Sequence, residues 1–227
     1  MEGVSPVFGE DDLKAVGVFG GTFNPVHIGH LRTCVELRQH LGLAYIHLIP
    51  NATPPHRQVP GVSAEDRLAM LRLAIDGEPG LLADDRELRR SGPSFAIDTL
   101  ADLRTELGAG ASLMMCIGMD GLVNLADWYR WRELLDFAHI VVAARPGWRQ
   151  PAEGVVARWL DDKLEHDVAV LKAEPSGKVL IREMTLLPVS STEIRSVLSS
   201  GLSARYLLPD AVLDYIVRHQ LYGTGGI

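Results

Sequence analysis

Two histidines lie three residues apart at the end of a glycine-rich turn. The segment Gly20–His30 reads GGTFNPVHIGH, follows an apolar run and precedes an amphipathic stretch. Glycines let a backbone approach a ligand closely, and His27 and His30, at i and i+3, can point the same way from a first helical turn. Because free amides at a helix start bind anions, the turn predicts a phosphate site. Asn24 and Pro25 are expected to begin the helix.

Other motifs fit this turn less well. No Gly-Lys-Ser/Thr follows the glycines, so the turn is not a Walker loop, and the spacing differs from the G-x-G-x-x-G of dinucleotide-binding folds. Zinc at His27 and His30 remains an alternative, although no cysteine or third histidine lies at ligand spacing. The last alternative is a pair of helix-start histidines without a function.

A second polar segment near the C-terminus also suits phosphate. Residues Val189–Arg195 read VSSTEIR. Ser190, Ser191 and Thr192 offer hydroxyl groups at a predicted helix start, and Arg195 can grip phosphate oxygens with its planar guanidinium group. Taken alone, the segment is more simply an N-cap followed by a surface arginine.

Together the two segments resemble the signatures of the nucleotidylyltransferase superfamily, which is related to the catalytic domain of class I aminoacyl-tRNA synthetases. HIGH at 27–30 matches H-x-G-H, and VSSTEIR matches I-S-S-T-x-I-R with Val189 in place of the first isoleucine. The resemblance implies transfer of a nucleotidyl group from a nucleoside triphosphate, a reaction that needs positioning and charge neutralisation. It implies catalytic roles for His27, His30 and Arg195, and ATP contacts for Gly20, Gly21, Thr22, Phe23, Ser191 and Thr192.

From about Val16 to Tyr222 the chain is similar to the nicotinate-mononucleotide adenylyltransferase family. The resemblance implies transfer of AMP from ATP to nicotinate mononucleotide in NAD biosynthesis, giving deamido-NAD and pyrophosphate. It implies direct in-line attack by the acceptor phosphate, and Mg²⁺ bound through the ATP phosphates rather than in a protein metal site. The segments that carry it are Ile49–Asn51, Pro54–Arg57, Asp85–Leu88, Pro93–Phe95, Ile117–Asp120, Trp128–Tyr129, Ala144–Gly147 and Leu207–Pro209.

The same resemblance implies how the acceptor binds. Backbone amides around Phe95 and Ala96 would receive the nicotinate carboxylate, because a helix N-terminus favours an anion. Trp128 would stack on the pyridinium ring, with Tyr129 beside it, although a core tryptophan is an equal alternative. The family commonly has Thr or Ser after the aromatic residue, so Ala96 removes one hydroxyl contact.

Further roles are implied for five residues in loops after strands. Gly118 and Asp120 would contact ATP, with Asp120 accepting from the ribose hydroxyls, although a lone loop aspartate is often only a turn residue. Arg145 would hold the acceptor phosphate. His56 and Arg57, in a proline-rich loop, are candidates for closing over the phosphates, the alternative being a solvated pair.

Two other functions stay open. The first is the same chemistry on nicotinamide mononucleotide or phosphopantetheine, which the Trp128–Tyr129 pair and the region of Phe95 disfavour. The second is a nucleotide-binding module without turnover. Such a module should have lost its histidines or Arg195, and all of them are present.

The elements that must position these residues alternate between short apolar runs and amphipathic stretches. This predicts an α/β fold with a doubly wound, mainly parallel, Rossmann-like sheet, in which ligands bind where strand order reverses. We expect strands at 16–19, 45–49, 81–84, 113–117, 140–143 and 179–184. We expect helices at 28–41, from Ser63 to Ile75, from Ser94 or Thr99 to Leu107, at 121–136, around 159–164, at 194–198 and at 210–221.

Composition sets the wider limits. The 227 residues carry 22 basic and 29 acidic side chains, and the resulting net charge of −7 argues against a general nucleic-acid binder. Two cysteines, Cys34 and Cys116, are too few for a disulfide framework and suit a reducing cytoplasm. No run approaches the ~18 apolar residues of a membrane helix. We expect a loose extension at 1–14 and one domain at 15–227, helical at about 190–222, whose oligomeric state stays open.

Overall fold

One parallel sheet runs through the residues that the computed structural model describes, 15–52, 61–148 and 153–225. Its strands are β1 Ala15–Gly21, β2 Tyr45–Pro50, β3 Leu81–Ala83, β4 Ser112–Gly118, β5 His139–Ala144, β6 Leu164–Glu165 and β7 Val179–Glu183. In this part of the chain they lie in the order β3-β2-β1-β4-β5-β7-β6. Each pairing is parallel.

Helices cover both faces of this sheet, so the predicted doubly wound α/β fold is confirmed. Alternate residues of β4 face opposite ways, as strand geometry requires. Met114 and Cys116 join the apolar cluster that includes the first and last helices, whereas Met115 and Ile117 join the cluster on the other face. The helices are α1 Ile28–Leu41, α2 Ala64–Ile75, α3 Arg86–Arg89, α4 Ala96–Leu107, α5 Met119–Val123, α6 Leu134–Phe137, α7 Val155–Leu160, α8 Val168–Ala173, α9 Ser191–Ser199 and α10 Asp210–Arg218.

The strand order reverses between β1 and β4. From β1 the chain proceeds outward through β2 and β3 on one side, then returns to place β4 and β5 on the other. Loops that leave the carboxyl ends of β1 and β4 therefore diverge and leave a crevice between them, which is where ligands bind in sheets of this kind.

The prediction of one helix over 121–136 is wrong. Helix α5 ends at Val123, short 3-10 turns follow at Leu125–Asp127 and Trp131–Glu133, and α6 covers only four residues. Arg130 has a left-handed backbone with φ of 52°, which interrupts any continuous helix. The chain bends here because the indole of Trp131 is buried against Trp159, with 5.1 Å between ring centroids.

Further helix boundaries differ from those predicted, since α9 begins three residues earlier, at Ser191, and α10 ends three residues earlier, at Arg218. Leu164 does not continue the helix of Leu160, because it forms edge strand β6 and pairs with Val179. Helix α4 begins at Ala96, between the two starts proposed from the sequence, with Phe95 as its N-cap residue. The short helices α3 and α8 were not predicted, because four and six residues are too few to show a helical period.

The C-terminal helices pack on the first half of the chain. Helix α10 contacts α2, and the Tyr215 hydroxyl donates to Asp66 Oδ1 over 2.8 Å. Beyond α10, the Tyr222 hydroxyl donates to Asn24 Oδ1 over 2.6 Å. These contacts hold the second polar segment close to the turn after β1.

Some predictions fall outside the described residues. The extension at 1–14 does, and so do His56 and Arg57 in the proline-rich loop. Among the residues that the structure describes, no helix has the length and apolar character needed to cross a membrane.

Candidate active site

The two histidines of the first turn stack on each other. Their ring centroids lie 3.7 Å apart with 26° between the planes. The side chain of His27 folds back over Gly29, where an added Cβ would lie only 3.0 Å from Nδ1 of His27. The prediction that Asn24 and Pro25 begin the helix is wrong, because α1 starts at Ile28 with His27 as its N-cap.

The surroundings of His30 fix its hydrogen-bonding state. The main-chain N–H of His27 donates to Nδ1 of His30 over 3.3 Å, which leaves the ring proton on Nε2. The buried ring of Phe23 meets His30 edge-on at 5.2 Å. Burial lowers the pKa of His27 to about 4, and burial with the neighbouring His27 lowers the pKa of His30 to about 3. His30 is therefore a neutral Nε2–H donor near pH ~7.

Both imidazoles are expected to stay neutral in the free protein from about pH 8 to about pH 5. Two-bond ¹H–¹⁵N correlation spectra should show this, with signals assigned from His27→Ala and His30→Ala proteins. The unfolded chain binds more protons than the folded one below about pH 6.5, so the pair should lower the free energy of unfolding as the pH falls toward 4. A midpoint near the ordinary value of 6.5 for either ring contradicts this prediction.

The polar segment Val189–Arg195, which includes the start of α9, contacts the turn Gly20–His30. Ser191 Oγ donates to the carbonyl of Pro25 over 2.9 Å, and Arg195 Nη1 donates to the carbonyl of Asn24 over 2.7 Å. Arg195 Nη2 also donates to the Thr192 hydroxyl over 3.2 Å. The two segments singled out in the sequence, more than 160 residues apart, therefore meet at one edge of the sheet.

One expected anion donor is already engaged. The N–H of Ile28, the first residue of α1, donates to the carbonyl of Leu207 over 3.1 Å. This contact explains the position of the Leu207–Pro209 segment, and it removes one amide from the anion site predicted at the start of α1.

A cavity of about 830 Å³ opens at the reversal of strand order, between β1 and β4. It adjoins the histidine turn through Thr22, and it reaches α4 on its far side. Three carboxyl-bearing residues, Glu87, Asp120 and Asp127, line it. The predicted site residues among its lining are Gly20, Gly21, Thr22, Phe95, Ala96, Asp120, Trp128 and Tyr129.

Aromatic rings and a helix start form the far wall of this cavity. The rings of Phe95 and Tyr129 lie 4.6 Å apart, and the partly buried Trp128 lies beside them on the cavity wall. Phe95 is the N-cap of α4, and its side chain makes no capping hydrogen bond. The Asp98 N–H donates to the carbonyl of Phe95 over 3.2 Å, so the amides of Ala96 and Ile97 are the ones suited to receive an anionic group.

Other predicted residues lie apart from the cavity lining, and these include His27, His30, Ser191, Thr192 and Arg195. Gly118 is exposed as the N-cap of α5, and Arg145 is exposed in the loop after β5. The Phe23 ring is only 1% exposed and packs under Gly21, where a Cβ would lie 3.2 Å from the ring, so only its main chain can face a ligand. Ile194 is fully buried, as expected.

The sequence did not single out three buried polar residues at this site. Thr99 Oγ1 donates to Glu87 Oε1 over 2.7 Å at the cavity wall, and burial raises the pKa of Glu87. Arg67 of α2 reaches the loops after β1 and β2. Glu87 lies in Asp85–Leu88, one of the segments that carry the family resemblance, and Arg67 lies in an amphipathic helix. Neither pattern shows that these side chains point inward.

No metal centre is built from side chains in the described part of the chain. Within 15–52, 61–148 and 153–225 there is no group of three His, Cys, Asp or Glu residues that could hold an ion. The imidazole and guanidinium N–H groups around the histidine turn can donate hydrogen bonds to phosphate oxygens.

Comparison with known proteins gives the same family as the signatures. The sequence model of the cytidylyltransferase-like family matches residues 18–197. A Pseudomonas putida (strain W619) protein named "Probable nicotinate-nucleotide adenylyltransferase" is 46% identical over 210 residues, which cover 92% of this chain and 95% of that protein. An Aeromonas hydrophila subsp. hydrophila protein of the same name is 45% identical over 207 residues, 91% of this chain and 96% of that one.

A solved structure has the same fold. It is titled Plasmodium falciparum nicotinic acid mononucleotide adenylyltransferase complexed with NaAD, and it superposes with a TM-score of 0.69 over 94% of this chain and 99% of that chain. Its sequence identity of 16% limits that likeness to the fold. On the strength of the family match and of relatives at almost half identity over nearly the whole length, the chain belongs to the nicotinate-nucleotide adenylyltransferases of the cytidylyltransferase-like family.

Proposed function

We propose that this protein transfers AMP from ATP to nicotinate mononucleotide, forming deamido-NAD and pyrophosphate in NAD biosynthesis. The observation that carries the proposal is a cavity that adjoins the histidine turn through Thr22 and has aromatic rings and a helix start on its far wall. A neutral histidine pair and Arg195 lie at the turn after β1, and aromatic rings with a free helix start lie opposite. The buried free thiols of Cys34 and Cys116 fit a reaction in the reducing cytoplasm.

The ATP half of the site would use the first turn and α9. The triphosphate would lie against the turn Gly20–Phe23, with His27, His30 and Arg195 donating to its oxygens. Ser191 and Thr192 border the same edge through their contacts with Pro25 and Arg195. Asp120 on the cavity wall would accept from ribose hydroxyls, with Gly118 preceding it.

The acceptor half would use α4 and the segment after α5. Amides of the first turn of α4, beside Phe95 and Ala96, would bind the nicotinate carboxylate, which a helix N-terminus favours over a neutral carboxamide. Trp128 would stack on the pyridinium ring with Tyr129 beside it. Arg145, and His56 with Arg57, stay candidates for the acceptor phosphate and for a closing loop.

The proposed reaction is a single displacement at the α-phosphorus and forms no covalent intermediate with the protein. A phosphate oxygen of nicotinate mononucleotide attacks the α-phosphorus of ATP in line, and the bond from that phosphorus to the bridging oxygen of pyrophosphate breaks. Pyrophosphate leaves with the bonding electrons, while the imidazole and guanidinium donors hold the charge that builds on the phosphate oxygens. Enzymes of this kind generally use a divalent metal, and Mg²⁺ carried by the triphosphate would neutralise further charge.

Pyrophosphate release tests the function directly. Purified protein is mixed with Mg-ATP and, separately, with nicotinate mononucleotide, nicotinamide mononucleotide or phosphopantetheine. Release mainly with nicotinate mononucleotide is the expected result. Stronger release with another acceptor would keep the phosphate chemistry and overturn the acceptor, whereas ATP binding without release in any mixture would indicate a module without turnover.

Replacing Trp128 by alanine is expected to raise the KM for nicotinate mononucleotide about tenfold, because a cation–π contact of about 1.4 kcal/mol is lost. Steady-state kinetics at saturating ATP measures the effect, and Trp128→Phe should recover part of it. Trp159→Phe, which alters a ring packed on Trp131, is the control and should leave KM unchanged. An unchanged KM in Trp128→Ala returns Trp128 to a purely structural role.

A further inference from the structure

Arg67 is a buried cation that bridges two loops of the candidate site. It lies in α2 and is only 1% exposed. Its Nη1 donates to the carbonyl of Thr22 over 2.7 Å. Its Nη2 donates to the carbonyls of Asn51 over 2.7 Å and of Ala52 over 3.4 Å. All three acceptors are main-chain carbonyls, so these hydrogen bonds join the guanidinium group to the backbone and not to a carboxylate.

The two loops follow the neighbouring strands β1 and β2, and the N–H of Asn51 also donates to the carbonyl of Gly21 over 2.9 Å. Thr22 follows β1 and leads into the histidine turn, whereas Asn51 and Ala52 follow β2. The N–H of Ala52 donates to Ser94 Oγ over 3.1 Å. Ser94 directly precedes the N-cap of α4. A hydrogen-bonded chain therefore runs from Thr22 through Arg67 and Ala52 to Ser94, from the ATP half to the acceptor half.

We propose that Arg67 is a positioning residue that sets the distance between the two substrate halves. The inference rests on the proposed adenylyl transfer, because it concerns the alignment of two substrates. In-line attack requires reacting atoms about 3–3.5 Å apart, and a displacement of about 1 Å can cost a hundredfold in rate. A planar fork can bond two loops at fixed geometry, which a single ammonium group cannot do.

This role predicts a specific kinetic pattern. Arg67→Lys keeps the charge and loses the fork, so kcat should fall about thirtyfold to a hundredfold at saturating substrates. The dissociation constants of ATP and of nicotinate mononucleotide, each measured alone by calorimetry, should change less than about threefold, because each half-site stays intact. If the charge of Arg67 only attracted the triphosphate, Arg67→Lys would keep kcat.

Arg104 offers a matched control. It lies in α4 and donates to the main-chain carbonyls of Ala111, Phe137 and Pro175, at the opposite edge of the sheet. Arg104→Lys removes the same kind of fork away from the crevice. It should lower the melting temperature and leave kcat within about twofold of wild type.

Ser94→Ala breaks the same chain at its other end and covers the case in which Arg67 variants fold poorly. It should lower kcat about tenfold with little change in either dissociation constant. In the double variant with Arg67→Lys, kcat should be close to that of Arg67→Lys alone, because the chain is already broken.

The outcomes separate the two proposals. The inference is overturned if wild type is active and Arg67→Lys keeps kcat within about threefold, or if Arg104→Lys loses as much kcat. Independent, additive losses from Arg67→Lys and Ser94→Ala overturn it as well. Wild type that releases no pyrophosphate with nicotinate mononucleotide overturns the proposed function, and the inference falls with it.

Discussion

Replacing His30 by alanine is expected to lower kcat about a hundredfold or more, while the dissociation constant of ATP changes far less. The physical reason is the fixed ring. Because His27 N–H occupies Nδ1 of His30, only the Nε2–H is left to donate to a phosphate oxygen. The stacked ring of His27 and the edge of Phe23 hold that donor in place.

Because His30 is neutral, its hydrogen bond would stabilise the transition state more than the ground state. Burial and the neighbouring His27 hold the pKa of His30 at about 3, so the free protein presents an uncharged donor. Its bond to a ground-state phosphate oxygen would be modest, and it would strengthen as negative charge builds during the transfer of the α-phosphate. A contact of this kind acts on kcat more than on binding, because it is stronger in the transition state than in the ground state.

Single-turnover and steady-state rates, with ATP binding measured by calorimetry, check the prediction. His30→Gln keeps an N–H donor and should recover part of the loss. His40→Ala alters an exposed residue at the far end of the same helix, and it should leave both kcat and ATP binding unchanged. A kcat of His30→Ala within about threefold of wild type would show that His30 has no catalytic role.

Local sequence patterns predicted the strands of the sheet and the polar residues of the candidate site. Parallel strands are buried on both faces, so their apolar runs stand out in any sequence. The spacing of His27 and His30 and the hydroxyl residues before Arg195 are also local signals. Their meeting across more than 160 residues follows from the rule that ligand-binding loops leave the carboxyl ends of strands, where strand order reverses.

What the sequence could not predict depends on tertiary packing. The region 121–136 consists largely of residue types that favour a helix. The burial of Trp131 and the left-handed backbone of Arg130 nevertheless divide it into short helices and turns. Leu164 looks like the next apolar residue of a helix, yet its main chain pairs with the edge of the sheet. Arg67 looks like a surface residue of an amphipathic helix, because no local pattern shows that carbonyls of two distant loops converge on it.

Replacing Arg195 by alanine is expected to lower kcat/KM for ATP about a hundredfold to a thousandfold. The guanidinium group lies at the edge of the histidine turn, where Nη1 donates to the carbonyl of Asn24 and Nη2 to the hydroxyl of Thr192. These bonds fix the plane of the fork beside the proposed triphosphate site. Arg195→Lys should recover only part of the loss, because an ammonium group keeps the charge and loses the paired geometry.

The bond from Arg195 to Asn24 raises a second explanation, in which Arg195 only tethers the turn. Tyr222→Phe separates the two, because the Tyr222 hydroxyl is another tether on Asn24, donating to its Oδ1 over 2.6 Å. A tether role predicts similar losses of kcat/KM in Tyr222→Phe and Arg195→Ala, whereas direct phosphate binding predicts a change below about fivefold in Tyr222→Phe. Arg218→Ala, at the exposed end of α10, controls for the loss of one positive charge. If Arg195→Ala and Arg218→Ala give the same kcat/KM, Arg195 does not contact the triphosphate.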